Sequence, residues 1–187
     1  CALGLATPMS IMVATGRAAG LGVLFRDAAA IERLREVDIL IVDKTGTLTE
    51  GKPAFERAVG AEGIDPDEVL RLAASLDQGS EHPLAAAIVT AAKTKGLSLI
   101  EPDSFESSTG IGVRGAVQSR PLLLGNTALM EQAGVKVDSL LSEAEAFRAS
   151  GASVMYLAEP GRLLGLLAVS DPVKASTPDA LATLREA

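Results

Sequence analysis

An apolar run that ends in a carboxylate constrains the fold of this chain more than any other feature. Residues 38–42 read Asp-Ile-Leu-Ile-Val, and Asp43 follows directly. A short, uninterrupted run rich in β-branched residues predicts a strand buried on both faces, as in a parallel sheet. Asp43 would then lie at the carboxyl edge of that sheet, where open α/β sheets bind their ligands. The sequence therefore predicts an α/β fold with a site at Asp43.

The residues after Asp43 suit a phosphate site. Residues 43–49 read Asp-Lys-Thr-Gly-Thr-Leu-Thr. Gly46 lets the chain turn tightly, and threonine hydroxyls and backbone N–H groups can bind phosphate oxygens. A carboxylate in such a loop can attack a phosphoryl group and become an aspartyl phosphate. Both partners are negatively charged, so the reaction implies Mg²⁺. The alternative is a surface turn that follows a strand.

Composition excludes several classes of protein. The chain has 187 residues, 48% of them hydrophobic, with a net charge of −7, one cysteine and one histidine. This apolar fraction argues against a disordered chain, and one cysteine excludes an internal disulfide. One cysteine and one histidine argue against structural zinc, and the acidic balance argues against nucleic-acid binding. The length lies between one and two ordinary domains.

The first 16 residues carry no charge, and Arg17 is the first charged residue. A membrane span needs about 20 apolar residues, so this run is slightly short. It also lacks an initiator methionine and a basic segment, which makes it a poor signal peptide. Three interpretations stay open: the end of a transmembrane helix, which we favour, a buried core helix, or a processed lipoprotein terminus at Cys1.

The order of predicted elements indicates one α/β domain that is interrupted by an inserted α+β domain. A helix is predicted over residues 27–35, before the strand at 38–42. The insert is predicted to contain a strand at 53–59, helices at 65–76 and 80–94, strands within 104–124 broken at Gly110, Gly112, Gly115 and Pro121, helices near 126–133 and 138–149, and a hairpin of 154–158 with 163–169. A last helix is predicted to start near Ser176.

The loop at Asp43 resembles the phosphorylation motif of P-type ATPases, which lie within the haloacid dehalogenase superfamily. The resemblance implies that ATP phosphorylates Asp43, and that Lys44 and Thr47 complete the loop. It also implies that Thr45 gives Mg²⁺ a backbone carbonyl and the phosphate a hydroxyl. Phosphatases of the superfamily usually carry a second aspartate at the position of Thr45, as general acid and base. Threonine cannot relay protons at neutral pH, so a lasting phosphoenzyme is expected.

The start of the chain resembles the heavy-metal branch of P-type ATPases. Cys1 resembles the second cysteine of the Cys-Pro-Cys motif in their metal-binding transmembrane helix. A thiolate suits a soft ion such as Cu(I), and Gly-Leu-Ala-Thr-Pro-Met in residues 4–9 resembles the copper and silver transporters. The resemblance implies a protein of the bacterial plasma membrane, cytoplasmic after about residue 17, with a soft metal cation, possible supply by a metallochaperone and no nucleic acid as partners.

The single histidine lies in Ser80-Glu81-His82-Pro83, which resembles the nucleotide-domain signature of the same branch. Ser80 is the expected cap of the helix that follows. The family often has glutamate near the adenine five residues before the histidine, where this chain has the shorter Asp77. The resemblance implies ATP binding by residues in four places: Asp77, Glu81 with His82, the Gly-x-Gly turn of Gly110 and Gly112, and Asn126.

Residues 170–174 read Ser-Asp-Pro-Val-Lys and resemble the hinge that returns from the nucleotide domain, with Asp171 near the phosphorylation site. The resemblance implies a partial haloacid dehalogenase-like, Rossmann-type phosphorylation domain with an inserted nucleotide-binding domain. The expected segments are a transmembrane helix stub with its cytoplasmic extension at 1–25, the phosphorylation domain at 26–52 and 170–187, and the insert at 53–169.

The leading functional hypothesis is a fragment of an ATP-driven heavy-metal pump that exports Cu(I) and is inactive when isolated. The alternatives are a soluble phosphatase of the same superfamily and a nucleotide-binding module without catalysis. The family's Gly-Asp-Gly motif, which supplies a second Mg²⁺ aspartate, and its Thr-Gly-Glu dephosphorylation motif do not occur in these 187 residues.

Overall fold

The computed structural model describes residues 3–34 and 36–186, which form one compact unit up to Val42 and a second from Asp43 onward. The first unit contains helices α1 (Leu3–Gly20) and α2 (Ala28–Leu34). The carboxylate of Asp27 accepts a hydrogen bond of 2.8 Å from the backbone N–H of Ala30, which caps the start of α2. The predicted helix at 27–35 is confirmed for its described residues.

The expected transmembrane stub at residues 1–25 is not supported. Across residues 3–34 and 36–186, no helix combines the length and the apolar character that a membrane crossing requires. Cys1, the expected ligand of the transported ion, lies outside the described residues.

The predicted buried strand at residues 38–42 is not found. These residues form no strand, and the side chains of Ile39 and Ile41 are 80% and 92% exposed. A strand needs a neighbour that takes up its backbone hydrogen bonds. Within the described residues no segment pairs with 38–42, so an apolar sequence alone does not produce a strand there. Asp43 therefore follows an unpaired segment.

The second unit is built on a six-stranded sheet in which all neighbouring strands are antiparallel. The order across the sheet is β1-β6-β5-β4-β3-β2. The strands are β1 (Ala54–Gly60), β2 (Ser104–Ser108), β3 (Gly112–Val117), β4 (Arg120–Gly125), β5 (Ser153–Glu159) and β6 (Arg162–Ser170). The strands predicted from residue 53 onward, including the β5–β6 hairpin, are confirmed. The predicted breaks at Gly115 and Pro121 are wrong, because both residues lie inside strands.

Helices cover both faces of this sheet. Helices α3 (Pro66–Asp77) and α4 (Pro83–Thr94) pack on one face, around buried residues such as Leu76, Ile88 and Leu122. Helix α5 (Thr127–Gln132), a 3₁₀ turn (Asp138–Leu140) and α6 (Leu141–Ala149) pack on the other, around Leu129 and Tyr156. Strand β6 is almost entirely buried because it lies between these two cores. Helix α7 (Thr177–Glu186) follows the sheet.

The chain enters and leaves the sheet at the same place. Strands β1 and β6 are antiparallel neighbours, with Ala54 opposite Ser170. The pairing continues beyond the sheet, since Thr49 forms a bridge with Val173 and Glu50 N–H donates to the Pro172 carbonyl. The two connecting segments therefore run side by side. Such an arrangement suits an inserted domain, and the boundaries at 53 and 169 stay a prediction.

Candidate functional site

A cavity of about 490 Å³ lies between the N-terminal end of α4 and one end of the sheet. The ends of β2 and β4 and the starts of β3 and β5 all contribute to its wall. Five residues predicted to bind nucleotide line this one cavity: Asp77, His82, Gly110, Gly112 and Asn126. The sixth, Glu81, is exposed and is not part of the lining. The antiparallel strand order brings together segments that lie far apart in the sequence.

His82 is held by the helix that it begins. Its ring nitrogen Nδ1 accepts a hydrogen bond of 3.2 Å from the backbone N–H of Leu84, so His82 is the N-cap of α4. The predicted cap at Ser80 is wrong: the Ser80 hydroxyl instead accepts from the backbone N–H of His82, at 3.3 Å. With Nδ1 occupied as an acceptor, a neutral ring carries its proton on Nε2. The ring can therefore donate to a ligand in the cavity.

Asp77 is a buried carboxyl group in the wall of the cavity. It is the last residue of α3 and only 5% exposed. Burial raises its pKa from an ordinary value of 3.8 to about 7, because a charged carboxylate is poorly solvated there. Among the described residues no cation forms a salt bridge with it. Asp77 can therefore gain or lose a proton near neutral pH.

In the part of the cavity wall formed by the sheet, two glycines allow the backbones of β3 and β4 to approach each other closely. A Cβ atom on Gly112 would lie 2.3 Å from the carbonyl oxygen of Leu124, and the φ of Gly112 is +148°. A Cβ atom on Gly125 would lie 2.3 Å from the carbonyl oxygen of Ile111. No other residue type fits either position without moving the strands. The Gly-x-Gly turn thus shapes the cavity through backbone packing between β3 and β4.

Asn126 holds this turn in place. Its side-chain oxygen accepts from the backbone N–H of Leu129 at 3.2 Å, which caps α5, and its Nδ2 donates to the Gly110 carbonyl at 2.9 Å. The amide oxygen and one N–H are therefore engaged within the protein. Asn126 lines the cavity as expected, and its side-chain hydrogen bonds hold the turn at Gly110 in place.

Several lining residues were not predicted from the sequence. They are Leu84 and Ala85 of α4, Ser107 and Ser108 at the end of β2, and Ser153 and Met155 of β5. The sequence marks them as residues of strands and a helix, and gives no signal for the sheet order that brings the strand ends together. Leu84 and Ala85, just after His82, and Ser107 and Ser108, just before Thr109-Gly110, lie close to predicted sites in the sequence, whereas Ser153 and Met155 do not.

The Asp43 loop, residues 43–49, is called the phosphorylation loop after the motif that it resembles, and it is a tight turn that closes on itself. Residues Lys44–Leu48 form the turn, and the N–H of Thr49 donates to the Lys44 carbonyl at 3.1 Å. Gly46 has a φ of +77°, a conformation that side chains other than glycine rarely adopt. Asp43, Thr45 and Thr47 are exposed. The carboxylate and hydroxyl groups of the loop are therefore accessible from solvent.

Two charged side chains connect this loop with the rest of the unit. Asp171 accepts a hydrogen bond of 2.6 Å from the Thr49 hydroxyl and one of 3.2 Å from the backbone N–H of Lys52. The Lys44 ammonium group lies beside Gly151, where an added Cβ atom would be 3.3 Å away. The structure thus brings Asp171 to the phosphorylation loop, as expected. Its contacts are with the end of the turn.

The loop offers a partial set of ligands for Mg²⁺. Across residues 3–34 and 36–186, no group of three or more His, Cys, Asp or Glu side chains could hold a metal ion. Mg²⁺ commonly binds through one or two carboxylates while substrate phosphates supply other oxygens. The exposed Asp43 carboxylate and the Thr45 carbonyl fit such a shared site. Mg²⁺ would then bind together with a phosphate ligand.

The comparison with known families defines the class of protein. The haloacid dehalogenase-like hydrolases match residues 37–187, a stretch that contains both the Asp43 loop and the cavity. The chain belongs to this family.

Relatives that match the whole chain are heavy-metal P-type ATPases. Copper-transporting ATPase 2 of Rhizobium meliloti (strain 1021) is 52% identical over 186 residues, which cover 100% of this chain and 22% of that protein. The silver exporting P-type ATPase of Salmonella typhimurium is 46% identical over 187 residues, or 100% and 23%. A crystal structure of a zinc-transporting PIB-type ATPase in its E2.Pi state superposes with a TM-score of 0.83 at 32% identity, over 100% of this chain and 30% of that one.

These matches confirm the resemblance to heavy-metal P-type ATPases that the Asp43 and His82 motifs indicate. The chain spans about a fifth to a quarter of the length of the curated relatives that it matches. The haloacid dehalogenase-like fold class is confirmed as well.

Proposed function

We propose that this chain is the part of a heavy-metal P-type ATPase that binds ATP and carries the phosphorylated aspartate. In this proposal ATP binds in the cavity beside His82, and its γ-phosphate is transferred to Asp43. The main support is that five of the six residues expected to bind nucleotide line one cavity, although their positions extend from Asp77 to Asn126. Relatives named as copper-transporting and silver-exporting ATPases support the same function.

The cavity suits the base and ribose of a nucleotide. The Nε2–H of His82 can donate to a ring nitrogen, and its ring offers a face for stacking. Asp77 lies in the same wall and can interact with an exocyclic amino group. Gly110 and Gly112 lie in the cavity wall and carry no side chains that would narrow the space for a planar base. These features favour a purine nucleotide.

The phosphorylation step follows from the Asp43 carboxylate. One carboxylate oxygen forms a bond to the γ-phosphorus while the bond from that phosphorus to the β–γ bridging oxygen breaks. ADP leaves with the electron pair, and Asp43 carries an acyl phosphate. Mg²⁺ bound to the phosphates would reduce the repulsion between the two anions. Thr45 replaces the second carboxylate of the phosphatases, so water attack on the acyl phosphate has no general base at that position.

The identity of the transported ion and the membrane location are proposals about the whole protein of which this chain is a part. Cu(I) export is the proposed transport activity, because relatives that are 46% to 52% identical are named for copper and silver. A soft thiolate ligand at Cys1 agrees with such an ion. A location in the bacterial plasma membrane and delivery of the metal by a metallochaperone are parts of the same proposal.

A nucleotide-binding module is the second candidate function for the chain taken alone. The whole lining of the cavity comes from residues between Asp77 and Met155. ATP binding therefore needs nothing from the phosphorylation loop, and the isolated chain is expected to bind ATP without turning it over. A soluble phosphatase is the less favoured alternative, because Thr45 cannot act as its general acid and base.

The test is phosphorylation of the intact protein by γ-labelled ATP and Mg²⁺. We expect an acid-stable phosphoenzyme that hydroxylamine cleaves, because an acyl phosphate reacts with that nucleophile. Asp43→Asn should remove the label completely, whereas Asp138→Asn, a change at an exposed position, should retain it. Undiminished labelling of Asp43→Asn would refute the assignment. Steady hydrolysis of small phosphomonoesters by the wild-type protein would instead favour the phosphatase.

A further inference from the structure

Both polar backbone groups of Gly46 are held by side chains from outside the turn Lys44–Leu48. The Gly46 N–H donates to the hydroxyl oxygen of Thr49 at 3.1 Å. The Gly46 carbonyl accepts from the ammonium group of Lys174 at 2.7 Å. Neither Thr49 nor Lys174 is among the residues that the motif of the phosphorylation loop singles out for chemistry. Gly46 itself lies three residues after Asp43.

Thr49 is the centre of this arrangement. Its hydroxyl lies 2.6 Å from the Asp171 carboxylate and 3.1 Å from the Lys44 carbonyl, and its side chain is buried, with 1% of the residue exposed. A hydroxyl has one proton, and the shorter contact with a charged acceptor takes it. The oxygen lone pairs then face the Gly46 N–H. Thr49 therefore transmits the position of Asp171 to the backbone of Gly46.

The hydrogen bonds from Gly46 N–H to Thr49 and from Lys174 to the Gly46 carbonyl restrict backbone rotation at Gly46, which has no side chain to restrict it. Glycine moves freely between positive and negative φ, so the observed +77° needs external support. Rotation of the peptide groups on either side of Gly46 would change where the neighbouring hydroxyl groups and the Asp43 carboxylate point. Bonds at both the N–H and the carbonyl of Gly46 prevent this rotation. The segment that carries Lys174 and Asp171 is also the segment that leaves β6.

We propose that Thr49 and Lys174 are positioning residues of the phosphorylation loop, which fix Gly46 and thereby the approach of Asp43 to the γ-phosphate. This inference rests on the proposed function. It adds that the segment after β6, through Asp171 and Lys174, sets the conformation of the loop. Neither residue belongs to the two hydrophobic cores or to the lining of the nucleotide cavity, so their effect is on geometry and not on ATP affinity.

The test compares four variants of the intact protein with two matched controls. Thr49→Val removes the hydroxyl at nearly constant volume, Thr49→Ser keeps it, Lys174→Met removes the ammonium group, and Asp43→Asn reports the proposed function. Thr183→Val removes a hydroxyl that bonds only within α7, and Lys136→Met removes an exposed ammonium group. The measurements are deuterium uptake of the peptide over residues 44–49, ATP affinity, and the rate of phosphoenzyme formation at saturating ATP.

We expect Thr49→Val to form the phosphoenzyme roughly tenfold more slowly, the scale of one lost charge-assisted hydrogen bond, with ATP affinity within about twofold of the wild type. Deuterium uptake over residues 44–49 should rise, since Gly46 N–H loses its acceptor. Thr49→Ser should restore both measurements. Lys174→Met should slow phosphorylation by roughly three- to tenfold at unchanged ATP affinity. Both controls should match the wild type.

Wild-type phosphorylation rates and deuterium uptake in both Thr49→Val and Lys174→Met would overturn the positioning role. Equal damage in Thr49→Ser and Thr49→Val would also overturn it, because the hydroxyl would then not matter. If Thr49→Val fails to fold, Thr49→Ser and Lys174→Met still decide the question. Failure of the proposed function is a separate result, seen as label in Asp43→Asn, and the deuterium uptake tests the contacts with Gly46 in either case.

Discussion

At the scale of single residues, Asp77 shows how burial changes the chemistry of a side chain. The carboxyl group lies at the end of α3 in the wall of the cavity, and burial raises its pKa to about 7. The sequence locates Asp77 five positions before His82 and so marks it as a candidate. The raised pKa was not predictable, because it depends on how α3 and α4 pack against the sheet.

The raised pKa of Asp77 makes stability depend on pH. Between about pH 4 and pH 7 the native protein holds a proton that the unfolded chain releases, so stability falls as pH rises through this window. We expect the Asp77→Asn variant to lack this component. Relative to the wild type it should gain roughly 2–4 kcal/mol between pH 4 and pH 8, at about 1.4 kcal/mol per pKa unit.

Urea unfolding of both proteins at a series of pH values measures this difference. Asp138→Asn is the matched control, since it changes an exposed aspartate and should follow the wild-type curve. A constant difference between Asp77→Asn and the wild type from pH 4 to pH 8 would contradict the burial of a titrating carboxyl group.

At the scale of elements, the start of α4 combines a structural task with a binding task. His82 caps the helix through Nδ1 and lines the cavity with the rest of its ring. Replacing His82 by a polar residue that can cap the helix but has no imidazole ring would separate helix capping from ligand binding. The motif around His82 predicted the binding candidate, while the identity of the cap depended on which side chain reaches the Leu84 N–H.

We expect His82→Asn to keep the cap and lose the ligand. The asparagine oxygen can accept from the same backbone N–H, so the free energy of unfolding should change by less than about 1 kcal/mol. ATP affinity should fall by roughly tenfold or more, because the ring with its Nε2–H is absent. Calorimetric titration with ATP and urea unfolding measure the two effects. Unchanged ATP affinity would return His82 to a purely structural role.

Local sequence signals predicted most of the helices and strands, and they failed at two places in the chain. Turn residues and alternating side chains mark the helices and strands between Ala54 and Ser170. The hairpin between β3 and β4 turns at Gln118 and Ser119, both with positive φ, where the sequence has none of the usual glycine or asparagine. Residues 38–42 do not form a strand because no described segment pairs with them. The sequence of a single segment cannot specify whether a pairing partner is present.

At the scale of the whole molecule, the sheet and both of its cores form one continuous stretch of chain. The buried and partly buried residues of the two cores lie between Phe55 and Val169, and the lining of the cavity lies within the same limits. The order of the predicted elements indicated an inserted domain, and the division into an insert at 53–169 and a host domain around it stays a prediction. The sheet order, and with it the composition of the cavity wall, came only from the structure.

We expect residues 53–170 to fold without the rest of the chain. The isolated fragment should unfold cooperatively on heating and bind ATP with an affinity within about threefold of the full chain, because it keeps both cores and the cavity. Residues 53–159 are the matched control: they lack β6, which pairs with β1 and β5, and should not form the sheet. Absence of a cooperative transition in the longer fragment would contradict an independent insert.

The side-by-side course of the two connecting segments has a consequence for the entropy of the host chain. With Ala54 opposite Ser170, the long excursion through the sheet returns to the point where it began. The entropic cost of closing a loop grows with the logarithm of the number of flexible residues in it. Once the predicted insert is folded, only the short connecting segments on either side of it are still flexible, so the remaining cost of closure for the host domain is small. In the predicted insert-and-host arrangement, the whole sheet therefore adds no more to the closure entropy of the host than a short turn does, and the sheet can vary in sequence and size without changing that cost.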